Sequence, residues 1–165
     1  MPTVHIYKRF LLARPESPAP AGYRFRCWQG VRDIEHWLAL RQLAFEAEQR
    51  GVGQWNLAKF QAEFLSQPWW RPDRLWFAEP ADGPPGGQPV GTIALAQRGV
   101  EGQRQAVIHW LSVAPEHRRK GVALALVRTA EAAAWDDGHR RLMLQTHASW
   151  HAANRFYLAA GYECG

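Results

Sequence analysis

The spacing of apolar side chains changes period several times along the chain. Residues 23–28 alternate apolar and basic (Tyr23, Arg24, Phe25, Arg26, Cys27, Trp28), which predicts a half-buried strand. Before them, Val4, Ile6 and Phe10 share one phase, so residues 3–12 are expected to form another strand. Asp33 is a candidate helix cap. After it Ile34, Trp37, Leu38, Leu40, Arg41, Ala44 and Phe45 follow a 3.6-residue period, with Glu35, His36 and Gln42 opposite. Gly51 and Gly53 are expected to end that helix. Asn56 would cap a second one carrying Leu57, Phe60, Phe64 and Leu65 on one side, and Pro68 would stop it. Residues 75–79 and 89–96 read as strands joined by a long Gly/Pro-rich loop. A turn at 99–102 leads into the almost wholly apolar run 106–113. An Ala/Leu-rich helix to residues 136–138, a short buried strand at 142–146 and a helix at 152–160 stopped by Gly161 complete the chain. Strand, helix, helix, three strands, helix, strand, helix predicts an α/β (α+β) fold with helices on a mixed sheet.

Composition narrows this picture little. A chain of 165 residues with 47% apolar and 21% charged residues suits one globular domain. The Pro-rich stretch 14–22 reads as a linker. It divides an N-terminal strand (residues 1–22 with the linker) from a main domain at 23–165. A net charge of +5 suits a polyanionic ligand. Cys27 and Cys164 lie far apart and form no metal or redox spacing, so free thiols in a reducing compartment are expected. No apolar run approaches the ~20 residues that span a bilayer, and the cluster at 10–13 is too short for a signal core. A cytoplasmic protein without a membrane partner is expected.

The stretch from 105 to 138 carries the chemistry. A buried strand ends at Val113-Ala114-Pro115-Glu116, a turn holds Arg118-Arg119-Lys120-Gly121-Val122-Ala123, and a helix follows. A helix start leaves N–H groups unpaired and carries partial positive charge. Gly121 lets a ligand approach the backbone, and three cations stand beside it. Phosphate is the expected guest. Neither Gly-x-Gly-x-x-Gly nor Gly-Lys-Ser/Thr is present, which removes the dinucleotide and nucleoside-triphosphate signatures.

The pattern Arg118-x-x-Gly121-x-Ala123 resembles the acetyl-coenzyme A signature of the GNAT acetyltransferase superfamily. A second match is Tyr157-Leu158-Ala159-Ala160-Gly161-Tyr162, similar to the family's closing helix. The resemblance covers roughly residues 23–163. It implies a GNAT-like, mostly antiparallel twisted sheet with helices on both faces. It also implies an acyl-CoA-dependent N-acetyltransferase in which a primary amine attacks the thioester directly. Acetyl-CoA would be the acyl donor, with no metal.

The amine must lose a proton, the oxyanion needs a donor and the departing thiolate needs a proton. His109, the one ionisable side chain in the run 106–113, is the candidate base, and a core histidine is the competing reading. Tyr157 is the candidate acid, with a packing tyrosine as the alternative. By resemblance, the Leu111 N–H would serve the oxyanion and Val113 the pantetheine arm. Arg118, Arg119, Lys120, Gly121, Val122 and Ala123 would cradle the pyrophosphate. His147 and His151 stand four apart without a third ligand. Trp55, Trp69, Trp70 and Trp76 are candidates for an acceptor wall, a core or an interface.

Two departures from the family stand out. Trp150 occupies the position seven before Tyr157 where relatives carry Asn, with Asn154 one turn later. The chain also stops at Gly165, before the family's last strands, and residues 3–12 are expected to fill that edge. The acceptor would be a small-molecule or peptide amine, and a homodimer is left open. Two other readings compete: a non-catalytic acyl-CoA-binding regulatory or interaction module, and a nucleic-acid-binding protein. The second is disfavoured because the strongest basic cluster already has a phosphate assignment.

Overall fold

The computed structural model describes residues 3–46, 55–99 and 102–165. Its strands are β1 (Val4–Phe10), β2 (Tyr23–Cys27), β3 (Leu75–Pro80), β4 (Gly91–Arg98), β5 (Gln105–Val113), β6 (Arg141–His147) and the two-residue β7 (Glu163–Cys164). The helices are α1 (Arg32–Glu46), α2 (Leu57–Phe60), α3 (Val122–Asp136) and α4 (His151–Ala159). A π-helical turn at Gln61–Leu65 extends α2. Asn56 caps α2 as expected, its side chain accepting the Lys59 N–H at 2.9 Å. The expected end of α1 at Gly51 and Gly53 lies outside the described residues, as does part of the 99–102 turn.

All seven strands form one sheet in the order β2-β3-β4-β5-β6-β1-β7. Every neighbouring pair is antiparallel except β5 and β6. Strand alternation explains why helices cover both faces. Trp76, Ile93, Leu95 and Ile108 pack with Val122, Leu126 and Val127 of α3. Leu75, Phe77, Ala94 and Ala96 face the other way, onto Ile34 and Trp37 of α1 and onto Phe60 and Phe64. A strand buried on both faces reads as a continuous apolar run, which is how β3, β4 and β5 appear in the sequence.

The N-terminal segment joins this sheet. Strand β1 pairs with β6 along its whole length, from Val4 opposite His147 to Phe10 opposite Arg141. The expected strand is there, but its buried phase is the opposite one. Tyr7 and Leu11 are buried, whereas Val4 is 44% and Phe10 67% exposed. The reason lies in position: Tyr7 faces α4, and the other face of β1 looks onto an open cleft. The Tyr7 hydroxyl donates to Asn154 Oδ1 at 2.6 Å, and His5 Nδ1 lies 2.9 Å from the same oxygen. The Asn154 amide donates to the His147 and Trp150 carbonyls. One amide thus ties β1, the end of β6 and the first turn of α4 together.

The Pro-rich linker then runs along α3. Leu11 N–H bonds the Arg140 carbonyl, and Arg14 makes a two-bond pair with Asp136 at the C-terminal end of α3. Pro20 reaches Gly121 at the other end, and the Tyr23 hydroxyl meets His117 Nδ1 at 2.8 Å. A proline-rich segment favours such an extended path because its residues are confined to extended φ values.

Glu131 of α3 is fully buried and collects Arg9 from β1, Arg128 and the Tyr162 hydroxyl. Arg128 also caps α4 through the Ala160 carbonyl. We expect Glu131→Ala to leave three donors without their acceptor and to cost about 3 kcal/mol. A urea-unfolding midpoint unchanged from the parent would contradict this.

His109 of β5 sits against Phe64, Trp69 and Trp110 at ring-centroid distances of 5.6, 6.0 and 5.3 Å. Burial pushes its imidazolium pKa down to about 3, with the charge of Arg98 adding to the shift. An unfolded histidine titrates near ~6.5. The stability held by the neutral buried ring is therefore complete above that value. It is lost as pH falls from about 6.5 toward 3, at up to about 1.4 kcal/mol per unit. Thermal melts of the wild type and His109→Gln should converge on acidification, and parallel curves would refute the linkage.

Candidate active site

Strands β5 and β6 pair over only two positions, Ala106 with Leu142 and Val107 with Met143. Beyond Val107 they part. On its other side β5 stays bonded to β4, but the register shifts. Ala94 faces His109 while Thr92 faces Ser112, so β5 carries one extra residue. Trp110 absorbs it with a φ of 52°, a left-handed conformation that a side chain resists by about 1–2 kcal/mol. A bulge of this kind bends its strand. Past the pair Val107 and Met143, β5 has no further register partner on β6.

The gap is a cleft of about 470 Å³. His109, Trp110 and Leu111 line it from β5, and Met143, Gln145 and His147 from β6. Tyr157 and Trp150 close it beside α4, Phe45 beside α1, and Val4 and Ile6 beside β1. His109, Leu111 and Tyr157, singled out from the sequence, therefore share one cavity. The Tyr157 ring rests on Tyr7 and Tyr162, with centroids 6.0 and 5.9 Å away. The His109 Nε2 is buried without a hydrogen-bond partner, an acceptor or donor that the fold itself does not satisfy.

Val113 ends the strand, and the basic loop follows. A short 3₁₀ turn at Pro115–His117 leads to Arg118 in extended conformation. Arg119 and Gly121 are both left-handed, at φ 61° and 84°. Gly121 is the N-cap of α3, and its carbonyl receives the Ala125 N–H as the first helical bond. The N–H groups of Val122, Ala123 and Leu124 thus have no helical acceptor. Left-handed residues in such a turn bring successive N–H groups to one side, a concave anion seat. A β-carbon at Gly121 would meet Pro20 at 3.7 Å, so the strain of its φ, more than lack of room, calls for glycine.

Arg118 departs from its expected use. Its Nε donates to the Val113 carbonyl and its Nη2 to the Ala44 carbonyl, at 3.0 and 3.1 Å. The side chain therefore ties the last turn of α1 to the end of β5. The exposed cations of the loop are Arg119 and Lys120.

Of the three readings left open for the tryptophans, the core is the one the structure shows. Trp55, Trp69 and Trp70 pack with the α1/α2 layer, and Trp76 faces α3. None of the four lines the cleft; Trp110 and Trp150 do. Trp150, where the resemblance leads one to expect Asn, lies at a tilt to His147 and Phe45, with ring centroids 4.4 and 5.8 Å away. Sequence reasoning missed Phe45, Val4 and Ile6 as cleft residues. Periodicity placed Phe45 on α1, but no local signal shows which helix end meets a distant strand. Among the described residues no group of three His, Cys, Asp or Glu could hold a metal ion. No described helix is long and apolar enough to cross a membrane.

Comparison with known proteins agrees with this geometry. The model of the acetyltransferase (GNAT) family matches residues 33–162. Mycothiol acetyltransferase of Thermobispora bispora is 31% identical over 148 residues, covering 90% of this chain and 49% of that protein. A solved GCN5-related N-acetyltransferase from Sphaerobacter thermophilus superposes with a TM-score of 0.78 at 22% identity, over 100% of this chain and 50% of that one. AAC(6')-Iy, solved with the bisubstrate analogue CoA-S-monomethyl-acetylneamine, gives a TM-score of 0.62 at 22% identity, over 86% of this chain and 90% of that one. The chain spans about half the length of the first two. With its matched family model over residues 33–162, its parted strands and the left-handed glycine that starts α3, the chain belongs to the GNAT acetyltransferase family.

Proposed function

We propose that this chain transfers an acetyl group from acetyl-CoA to a primary amine by direct attack. The observation that carries the reading is the parting of β5 from β6 immediately before the left-handed loop that starts α3. One edge of β5 offers unpaired backbone along the cleft, and the strand ends at an anion seat. A thioester with a diphosphate-bearing arm needs both. The solved AAC(6')-Iy complex, whose ligand joins CoA to an acceptor, supports the same use of the fold.

In this reading the N–H groups at 119–123, with Arg119 and Lys120, hold the diphosphate. Val113 and Leu111 offer backbone to the arm and the carbonyl oxygen. Acetyl-CoA supplies the acyl group as a thioester; the amine nitrogen bonds the carbonyl carbon, the carbon–sulfur bond breaks, and N-acetylamine and CoA thiol leave. Tyr157 donates a proton to the departing sulfur, and its phenolate is reprotonated, through water, by the proton that the amine nitrogen gives up on becoming the amide.

His109 has a narrower part than proton storage. With its pKa near 3, holding the amine's proton at neutral pH would cost about 5 kcal/mol. We assign it the role of a neutral acceptor that orients an amine N–H, the amine arriving as free base.

Three outcomes follow. Thiol should appear from acetyl-CoA with at least one member of an amine panel; binding of acetyl-CoA without thiol release from any amine would favour the non-catalytic reading. Tyr157→Phe should lower kcat tenfold to a hundredfold while calorimetry gives an unchanged CoA affinity, and an unaltered kcat would leave Tyr157 a packing residue. The kcat/KM of the wild type should rise with pH along the amine's own ionisation. His109→Gln should lower that curve by about a hundredfold without moving it. A wild-type inflection near ~6.5 that the variant lacks would restore His109 as the base.

A further inference from the structure

We propose that the acceptor amine carries an anionic group several bonds from its nitrogen, and that Arg98 selects it. This inference rests on the transferase reading above. Among the described residues lining the cleft there is no carboxylate; its one side chain charged throughout the neutral range is Arg98. Arg98 ends β4, opposite Gln105, and both line the cleft together with Gln145. Arg98 is exposed and takes no hydrogen bond or ion pair among the described residues. Its charge is nonetheless felt at His109, where it helps depress the imidazole pKa.

The neighbouring rows have the same sign. Lys8 is opposite Met143, which is opposite Val107, and residues of one such row share a sheet face. Arg141 lies one row further out, its guanidinium over the Phe10 ring. The described carboxylates of the sheet on that face are Glu79 of β3, paired with Arg24 and Arg26, and Glu163, across Lys8 on the outermost strand, and neither lines the cleft. A polycationic acceptor would meet Arg98 and Lys8 with no described carboxylate lining the cleft to offset them. An anion there gains a partner that none of the described residues engages.

The geometry also sets a separation. Gln105 is four residues before His109 on β5, about 13 Å along the strand. The Arg98 side chain spans roughly half of that. An amine held at His109 would therefore place its anion roughly 6–8 Å away. Between the two lie Val107 and Met143, with Ile6 on the neighbouring strand, so an apolar spacer suits the gap. A short peptide with a free C-terminal carboxylate has these dimensions; a compact α-amino acid does not.

The test compares glycyl-leucine with its C-terminal amide as acceptors, following thiol release from acetyl-CoA. We expect the acid to exceed the amide in kcat/KM by about tenfold, through KM, and Arg98→Gln to bring the two level. Arg98→Glu should reverse the order. Equal kcat/KM for acid and amide in the wild type, or a preference for the acid that survives Arg98→Gln, overturns the assignment. Calorimetry of the same pair against CoA-saturated protein separates the two readings. Acid-selective binding with no thiol release would sink the transferase reading alone. Acid binding no tighter than amide would sink the acceptor assignment alone.

Discussion

One extra residue in β5 is the constraint on which the site depends. A strand in mid-sheet normally pairs on both sides. Here the bulge at Trp110 keeps β5 bonded to β4 while turning it from β6 after two paired residues. That converts a buried sheet interior into a cleft with polar backbone on one wall. The opened edge is worth its lost hydrogen bonds only where a ligand or water satisfies those groups, since unpaired buried backbone costs about as much as a lost bond.

Once β6 has so little hold on β5, something else must keep it in place. Strand β1 does this through seven antiparallel register pairs. The Asn154 amide fastens the β1–β6 unit to α4, and buried Glu131 fastens it to α3 and to Tyr162. Parting of two strands and docking of the N-terminal segment are therefore two sides of one arrangement. Without β1, the cleft would lack Val4 and Ile6 from its wall and β6 would be an edge.

The electrostatics of the cleft follow from the same layout. Its apolar side is continuous with the aromatic layer under α1 and α2, and that layer desolvates His109 until it is neutral throughout the physiological range. Positive charge stands at Arg98 on the cleft wall and, past the end of β5, at Arg119 and Lys120 before α3. Arg118 contributes to shape instead, as a clamp between the α1 end and β5. A motif residue can thus keep its place in a pattern while its side chain serves the scaffold.

Much was legible before any coordinates. The 3.6-residue period of α1, the Asn56 cap, the apolar runs of β3 to β5 and the glycine at the start of α3 are local facts, and local sterics and capping fix them. So is the order of elements, and with it the family resemblance. Three things depended on tertiary packing. The buried phase of β1 is set by which face meets α4, and Tyr7 and Asn154 lie 147 residues apart, beyond any periodic signal. The tryptophans sort into two layers according to the sheet face each one meets. The protonation of His109 depends on rings from Phe64 and Trp69, which strand spacing cannot show. The chain by itself determined which elements form and where phosphate is expected; only the fold decided which side chains meet in the cleft and what charge they carry there, because burial and long-range neighbours set both.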